Sequence, residues 1–302
     1  MKKRWMVGTR GSRLALVQTG MVIDALRRLH PECDFTVKTI KTTGDSVWNT
    51  PLYLIGEKGL FIKEIEEALV KGEIDLAVHS IKDLPSELAG GLRLSAVLER
   101  EDPRDTFISL KHAALADAPQ GATVGTSSMR RRAQLLAFRP DLRIMPLRGN
   151  VDTRVKKLTE DDLDAVILAY AGVKRMGLAG HVREILPFDV MVPACGQGAI
   201  GIETRSGDDA ASLVGPLNHK ASEFEVGIER VFQAGVGGGC SVPLGVNASL
   251  SGGRITLRAA YGTETGAIIF KDVRESERSE AAVLAEGLLD GLRRARDASL
   301  SQ

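Results

Sequence analysis

The sequence is poor in aromatic residues, cysteines and long hydrophobic runs. Aromatic residues make up 4% of its 302 residues, which counts against a nucleic-acid-binding protein. The three cysteines, Cys33, Cys195 and Cys240, include no CxxC pair, so neither a disulfide framework nor a zinc site is expected. No apolar run reaches the roughly 18 residues of a membrane-spanning helix, and the basic start MKKRWMVGTR lacks the apolar stretch of a signal peptide. We therefore expect a cytoplasmic protein with no metal and no membrane partner.

Net charge is also nearly absent, at +1, but positive charge is concentrated in two segments. Residues 1–20 carry five basic residues and no acid, and residues 121–180 carry eight arginines and three lysines against six acids. Such a local excess of positive charge indicates a site for an anionic ligand rather than a surface that binds nucleic acid along its whole length. The near-neutral pI of about 7.7 also disfavours a nucleic-acid-binding protein.

Short apolar runs alternate with amphipathic helical patterns along much of the chain. Strands are predicted at WMVGTR, FTVKTI, IDLAVHS, ATVGTS, LRIMPLRG and LDAVILAYAG, and helices at 12–29, LFIKEIEEALVKG, SMRRRAQLLAF and VDTRVKKLTED. This βαβ rhythm predicts an α/β protein with parallel sheets, whose ligands gather at the carboxyl ends of strands. The polar stretch REDPRDTF is interpreted as a hinge. From about 217, a helix, three hairpin-connected strands and a final helix over about 278–296 predict a small α+β domain.

The segment GTSSMRRRAQL places three arginines at a predicted helix start, where the helix dipole disfavours cations. An anionic ligand would explain this placement. Residues spaced about 100° apart on a helix cannot all face one ligand, so two of Arg130, Arg131 and Arg132 are candidates. Other residues at strand ends or helix starts can converge with them: Arg10, Ser12, Arg148, Arg154 and Arg175. A solvated basic face is the alternative for any single arginine, but for the set we favour an anion site.

The segment HSIKDLP brings His79, Ser80, Lys82 and Asp83 together after a predicted buried strand. A serine hydrolase is disfavoured, because adjacent residues at a strand end point in different directions. Asp83 is interpreted as an ionised carboxylate that can hold N–H donors or stabilise a developing cation. A helix-capping role is an equal alternative from this stretch alone.

Two glycine-rich loops carry a cysteine, Cys240 in GGGCSVPLG and Cys195 in PACGQG. A thiol in such a loop can be a nucleophile or covalent anchor, although a buried, inert cysteine is the ordinary outcome. A third segment, GEKGLF, offers Lys58 to an anion but lacks the spacing of a nucleotide-binding P-loop.

Ten segments, taken in order, resemble the porphobilinogen deaminase family from about residue 7 to residue 246. They are GTRGSRLAL, KTTGD, GEKGLF, DLAVHSIKDLP, EREDPRDTF, GTSSMRR, LRGNVDTR, AGVKRMG, GQGAIGIE and GGGCSVPLG. The family condenses four porphobilinogen units head to tail, releases ammonia at each step, and hydrolyses the linear tetrapyrrole free.

The resemblance implies three domains. Two are lobes like those of periplasmic binding proteins, with mixed, mostly parallel sheets and a cleft between them, and the third is a small α+β C-terminal domain. The implied boundaries are 1–97 with 199–216, then 98–198, then 217–302. The family also implies a dipyrromethane cofactor, held by a thioether at the position that matches Cys240.

Roles for individual residues follow from the same resemblance. Asp83 matches the catalytic aspartate. Cofactor contacts fall on Ser80, Lys82, Asp83, Thr126, Ser128, Arg130, Arg131 and Arg154, besides Cys240. Substrate contacts fall on Arg10, Ser12, Lys58, Phe61, Arg148, Arg175 and Gln197. Position 237 is glycine where the family often has an acid, and Arg132 has no matching role.

Two alternatives belong to other classes. One is a non-catalytic anion-binding module with the same two-lobed fold, and the other is a protein that binds phosphate or nucleic acid through its basic segments. Porphobilinogen is the expected small-molecule partner. No long exposed apolar stripe calls for a dimer, so we expect a monomer.

Overall fold

The structure, a computed structural model, describes residues 2–46, 62–237, 242–263 and 267–300. Its strands, numbered along the chain, are β1 (Arg4–Arg10), β2 (Asp34–Ile40), β3 (Leu76–Ser80), β4 (Leu92–Val97), β5 (Asp105–Ile108), β6 (Thr123–Gly125), β7 (Arg143–Met145), β8 (Ala165–Ala169), β9 (Val182–Ile185), β10 (Ile200–Arg205), β11 (Leu244–Ser251), β12 (Arg254–Gly262) and β13 (Ile268–Glu277). They form three sheets.

Helices connect or flank these strands. They are α1 (Arg13–Leu29), α2 (Thr43–Ser46), α3 (Lys63–Val70), α4 (Met129–Phe138), α5 (Val151–Glu160), α6 (Tyr170–Arg175), α7 (Asp209–Val214), α8 (Lys220–Val236) and α9 (Ala281–Leu300). A 3-10 turn at Ile81–Asp83 follows β3 directly. Within the described part of the chain, each helix is too short or too polar to cross a membrane.

The first sheet has the order β2-β1-β3-β10-β4. Strands β2, β1 and β3 are parallel, and β10 runs antiparallel to both of its neighbours. Val7, Leu76, Val78 and Ile202 are buried on one face against α1, where Leu26 completes the cluster. The apolar side of the amphipathic helix α1 thus packs on the apolar face of the sheet.

The second sheet repeats this arrangement in the order β7-β6-β8-β5-β9. Strands β7, β6 and β8 are parallel, and β5 runs antiparallel to β8 and β9. Phe107, Val124 and Ile167 pack with Leu135 of α4 in one buried cluster. The expected fold class, two α/β lobes with mixed sheets, is confirmed.

The C-terminal segment forms an antiparallel three-stranded sheet, β11-β12-β13, with α9 beside it. The expected hairpin turn lies at Gly252 and Gly253, whose φ angles of 57° and 82° are those of a left-handed turn that glycine adopts without strain. The backbone N–H of Val246 donates to the Pro193 carbonyl at 2.9 Å.

Contacts divide the chain into two compact units, residues 1–101 with 199–224 and residues 102–198 with 225–302. The second unit therefore contains both the second lobe and the C-terminal sheet. The division into three domains at 97/98, 198/199 and 216/217 stays a prediction.

Four strands, β4, β5, β9 and β10, were not among those predicted from the sequence. The stretch interpreted as a hinge runs into β5, whose first residue, Asp105, is fully buried. The boundary between the two compact units, at 101/102, falls within this stretch, and only its last three residues, Asp105 to Phe107, belong to β5; the hinge stays a prediction for the residues before them. Charged residues are rarely buried unless they are paired, and the partners of Asp105 lie elsewhere in the chain.

Candidate active site

In the first unit, a pocket lies at the carboxyl ends of β1 and β3. Its polar lining comes from Arg10, Ser12, Gln18, His79, Ser80 and Asp83. Arg10 ends β1, Ser80 ends β3, and Ser12 precedes α1. Parallel strands bring residues that are distant in sequence to the same sheet edge, as expected for a ligand site in an α/β fold.

Asp83 and Arg10 are the two charged groups that face each other in this pocket. Asp83 Oδ2 lies 3.5 Å from Arg10 Nη1, and the two side chains are 35% and 22% exposed. The 3-10 turn that carries Asp83 is anchored by buried Ile81, whose N–H donates to the Ala199 carbonyl at 3.1 Å. A rigid turn thus presents a carboxylate that a ligand can reach, next to a guanidinium that can bind an acid.

Two hydroxyls of the pocket are held by α1. Ser12 is the N-cap, and its Oγ accepts a hydrogen bond from the Ala15 N–H at 3.3 Å. Ser80 Oγ accepts from Gln18 Nε2 at 2.8 Å and lies 3.0 Å from Gln18 Oε1. Lys82, in the turn itself, is half-buried. The predicted residues Arg10, Ser12, Ser80 and Asp83 therefore meet in one pocket.

In the second unit, Asp105 is the centre of a buried ion-pair cluster. Its Oδ2 accepts from Arg130 Nη1 at 2.8 Å, and its Oδ1 accepts from Arg131 Nε and Nη2 at 3.1 and 2.8 Å. Gln197 Nε2 donates to the same Oδ1 at 3.0 Å. One carboxylate thus brings together three residues that the sequence suggested as ligand-binding groups.

The charges in this cluster determine the protonation of Asp105. Burial alone raises the pKa of the Asp105 carboxyl, but the charges of Arg130 and Arg131 and hydrogen bonds from Arg130 and Gln197 outweigh it. The pKa of Asp105 is therefore held well below its usual range. Burial also lowers the pKa of the Arg130 guanidinium, whereas the negative charge of Asp105 raises it.

The two arginines have further partners in the second unit. Arg130 Nη1 donates to the Val192 carbonyl at 2.7 Å, and Arg131 Nη1 donates to the Ile167 carbonyl at 3.0 Å. Both side chains are buried, whereas that of Arg132 is half-buried. Arg130 and Arg131 therefore point into the protein from the first turn of α4.

The hydroxyls that precede α4 organise its start. Ser128 is the N-cap and accepts from the Arg131 N–H at 3.4 Å, and Thr126 Oγ1 accepts from the Ser128 N–H at 3.2 Å. Ser127 links this segment to Leu147, whose N–H donates to its Oγ at 2.9 Å. These bonds fix the loop between β6 and α4.

The remaining predicted arginines lie on other loops and helices of the second unit. Arg148 is half-buried between β7 and α5. Arg154, on α5, donates from Nε to the Gly149 carbonyl at 2.7 Å, and Arg175 donates from Nη2 to the Gly198 carbonyl at 2.6 Å. Gly149 has a φ of 115°, and a Cβ there would lie 2.8 Å from Thr153. Glycine is therefore required beside Arg148 and Arg154.

Three predicted site residues, Lys58, Phe61 and Cys240, lie outside the described residues. The competing cysteine, Cys195, is buried, as is Cys33. No group of three or more metal-ligating side chains occurs in the ranges that the structure describes.

Sequence reasoning missed two residues that hold the candidate site together, Asp105 and Gln18. Both are buried polar residues whose partners lie far away in sequence, 25 residues away for Arg130 and 62 for Ser80. For Asp105, the signal in the sequence was an acid directly before the strand-like residues of DTFI; for Gln18 there was none.

Two models of known protein families match most of the chain. The family model described as "Porphobilinogen deaminase, dipyromethane cofactor binding domain" matches residues 5–212. The chain belongs to the porphobilinogen deaminase family. The family's C-terminal domain model matches residues 224–291. The resemblance seen in the sequence is confirmed, and it places the chain among enzymes that use a dipyrromethane cofactor.

Similar proteins extend this match along nearly the whole chain. Porphobilinogen deaminase of Roseiflexus sp. (strain RS-1) is 48% identical over 298 residues, covering 96% of this chain and 97% of that protein. That of Carboxydothermus hydrogenoformans is 45% identical, covering 97% and 94%. That of Thiobacillus denitrificans is 46% identical, covering 95% and 94%.

Proposed function

We propose that this chain condenses four porphobilinogen molecules head to tail on a covalently bound dipyrromethane, releasing ammonia at each step, and then hydrolyses the linear tetrapyrrole free. The observation that carries the proposal is the Arg10–Asp83 pair in the first-unit pocket, at a position where the family match holds. A pyrrole with acetate and propionate groups offers both an N–H for a carboxylate and acids for guanidinium groups.

The side chains present fit the family's cofactor. The pocket in the first unit combines an accessible carboxylate with an arginine and the N-terminus of α1, which matches the mixed donors and acceptors of a substituted pyrrole. Cys240 would hold the group through a thioether, and Ser80, Lys82 and Asp83 would contact it. When bound, the dipyrromethane supplies the pyrrole to which the first substrate is joined.

Asp83 would act through its charge. Loss of ammonia from the aminomethyl carbon of porphobilinogen leaves a cation whose charge is shared with the ring nitrogen. An ionised carboxylate that is fixed in advance can hold the pyrrole N–H and stabilise this cation without reorganising. The anchored 3-10 turn supplies that fixed geometry.

Arginines would bind the substrate and cofactor carboxylates. Arg10, Arg148 and Arg175 are assigned to substrate with Ser12 and Gln197, and Arg154 is assigned to cofactor with Thr126 and Ser128. A guanidinium has five N–H donors. Arg130 and Arg131, also assigned to the cofactor, use two and three of these donors on Asp105, Val192 and Ile167 within the described residues.

Incubation of the purified protein with porphobilinogen tests the proposal. We expect ammonia release in step with substrate consumption and a linear tetrapyrrole as product. Binding of porphobilinogen without ammonia release would instead support the non-catalytic anion-binding module. The same preparation tests the proposed monomer by size-exclusion chromatography, and cell fractionation tests the proposed cytoplasmic location.

A further inference from the structure

Two acids of α8 hold the outer edge of the C-terminal sheet. β11 is an edge strand, so the N–H groups of every second residue point away from its partner β12. The Ala248 N–H donates to Glu229 Oε1 and the Leu250 N–H donates to Glu225 Oε1, each at 2.8 Å. Glu225 and Glu229 are four residues apart, which places both on the side of α8 that faces β11. The acids thus satisfy backbone donors that no partner strand binds.

Glu229 also binds a loop that lies outside this sheet. Its Oε2 accepts from the Gly196 N–H at 2.6 Å, while its Oε1 accepts from Asn247 Nδ2 at 3.3 Å in addition to Ala248. The side chain is fully buried. Because both oxygens have N–H donors on different elements, the carboxyl group is fixed in one orientation between β11 and the loop.

The loop at residues 194–198 supports two side chains assigned to the substrate. Gln197 directly follows Gly196, and its Nε2 donates to Asp105 Oδ1 at 3.0 Å and to the Pro103 carbonyl at 2.7 Å. The Gly198 carbonyl accepts from Arg175 Nη2 at 2.6 Å. The position of this loop therefore determines where Gln197 and Arg175 lie.

The backbone of the loop needs such an anchor. Gly196 and Gly198 have φ angles of 65° and 92°, a region that glycine adopts without strain. The Gln197 N–H closes a turn by donating to the Ala194 carbonyl at 3.0 Å. Glycines on both sides of Gln197 also make other backbone conformations accessible, so the bond from Gly196 to Glu229 favours the one observed.

We propose that Glu229 is a positioning residue, whose bond to Gly196 holds Gln197 and Arg175 in the geometry that binds porphobilinogen. The inference rests on the proposed function, and Glu229 acts through the loop without touching the substrate. Binding groups must be held to within about 0.5 Å of their productive geometry, so release of the loop weakens binding. Asp83, assigned to the chemical step, lies in the other unit. Loss of Glu229 should therefore raise KM and leave kcat near the wild-type value.

Glu229→Met tests the hold on the loop without reference to activity. Methionine has a similar length and suits a buried position, but its thioether is only a weak acceptor for the Gly196 N–H. We measure amide hydrogen exchange at single residues. Exchange at Gly196 should rise about tenfold more than exchange at Leu250, the scale of one hydrogen bond. An equal change at both amides would overturn the proposal.

Steady-state kinetics of the dipyrromethane-loaded protein test the consequence for the substrate. In Glu229→Met we expect the KM for porphobilinogen to rise about tenfold, with kcat near the wild-type value. A fall in kcat at an unchanged KM, or wild-type values of both, would overturn the proposal.

Glu225→Met is the matched control, because it removes an acid of the same helix that binds the same strand. Exchange should rise at Leu250 rather than at Gly196, and KM should stay at the wild-type value. If KM rises equally in both variants, the loss in Glu229→Met reflects a weakened C-terminal sheet, and the positioning role fails.

Glu229→Gln keeps the test decisive if the methionine variant does not fold. Glutamine retains one acceptor oxygen, so the bond to Gly196 or the bond to Ala248 is kept, but not both. Whichever way the amide turns, exchange at Gly196 and the KM must rise together or stay together. A change in one without the other would overturn the proposal.

The same measurements separate this inference from the proposed function. If the wild-type protein releases no ammonia from porphobilinogen, the proposed function itself fails. If the wild type is active, and exchange at Gly196 rises in Glu229→Met while KM does not, only the positioning role of Glu229 fails.

Discussion

Asp105 Oδ1 accepts two hydrogen bonds from the guanidinium of Arg131, at 3.1 Å from Nε and 2.8 Å from Nη2. Asp105 opens β5, and Arg131 lies in the first turn of α4, where the helix dipole disfavours a cation. The buried carboxylate supplies the missing negative charge from another element. An internal partner thus explains much of the unusual placement of arginines at this helix start.

Replacing Asp105 with Asn should strongly destabilise the protein. The substitution keeps the shape of the side chain but leaves the buried Arg130 and Arg131 without their counter-charge. Breaking a buried ion pair in this way lowers the free energy of unfolding by about 3–5 kcal/mol. Urea denaturation measures the loss. Asp290→Asn, which removes an exposed partner of Arg293, is the control and should change the free energy of unfolding by less than about 0.5 kcal/mol.

The effect of Asp105→Asn should depend on pH. Because the pKa of Asp105 is lowered in the folded protein, its contribution is complete above its unfolded pKa of about 3.9 and is lost as pH falls through the folded pKa. The difference in unfolding free energy between wild type and Asp105→Asn should therefore shrink on acidification below about pH 4. A difference that grows on acidification would contradict this account.

Glu66 should show the opposite sign. Burial raises its pKa in the folded protein, so its contribution is complete below the unfolded pKa of about 4.3 and is lost as pH rises through the folded pKa. Glu66→Gln should therefore gain stability relative to wild type as pH rises. Denaturation curves of both proteins across this range measure the change, and a constant difference would argue against a raised pKa.

The fold was predictable from the sequence where local signals were strong. Helix α1 and strand β3 carry clear amphipathic or apolar patterns, and both were predicted close to their observed positions. Strand β5 was not predicted, because its first residue is an aspartate that would be exposed without Arg130 and Arg131. Burial of such a residue depends on tertiary contacts, which no local pattern contains.

Asp83→Asn should remove most turnover while leaving the fold intact. Its side chain is partly exposed, so the substitution disturbs little packing, but it removes the charge that would stabilise the substrate cation. We expect kcat to fall about 100- to 1,000-fold, as for loss of one preorganised electrostatic group. Circular dichroism checks the fold, and an unchanged kcat would contradict the role of Asp83.

Gly149→Ala should impair both stability and the placement of Arg154. The φ of 115° disfavours alanine, and the added Cβ would collide with Thr153, so a loss of about 1–3 kcal/mol is expected. The KM for porphobilinogen should rise, since Gly149 directly follows Arg148, which is assigned to the substrate, and the Gly149 carbonyl also positions Arg154. Gly180→Ala, where a Cβ meets nothing within 4 Å, is the control in the same unit and should leave KM unchanged.

The candidate site was predictable in part. GTRGS and HSIKD indicated Arg10, Ser12, Ser80 and Asp83 because these residues lie at strand ends, where α/β folds collect ligand-binding groups. The contact between His79 Nε2 and Glu203 Oε2, which lie 3.0 Å apart, was not visible, since it depends on the register of β3 against β10, a strand that the sequence pattern did not reveal.

Intact mass spectrometry of the purified protein and its Cys240→Ala variant shows whether a dipyrromethane is anchored at Cys240 and is extended by porphobilinogen. We expect a mass above that of the sequence by a two-pyrrole adduct, and an increase of one pyrrole unit for each limiting equivalent of porphobilinogen. Both should be lost in Cys240→Ala. A preparation that consumes porphobilinogen while showing only the mass of the sequence, or an adduct that survives in Cys240→Ala, would contradict this anchoring.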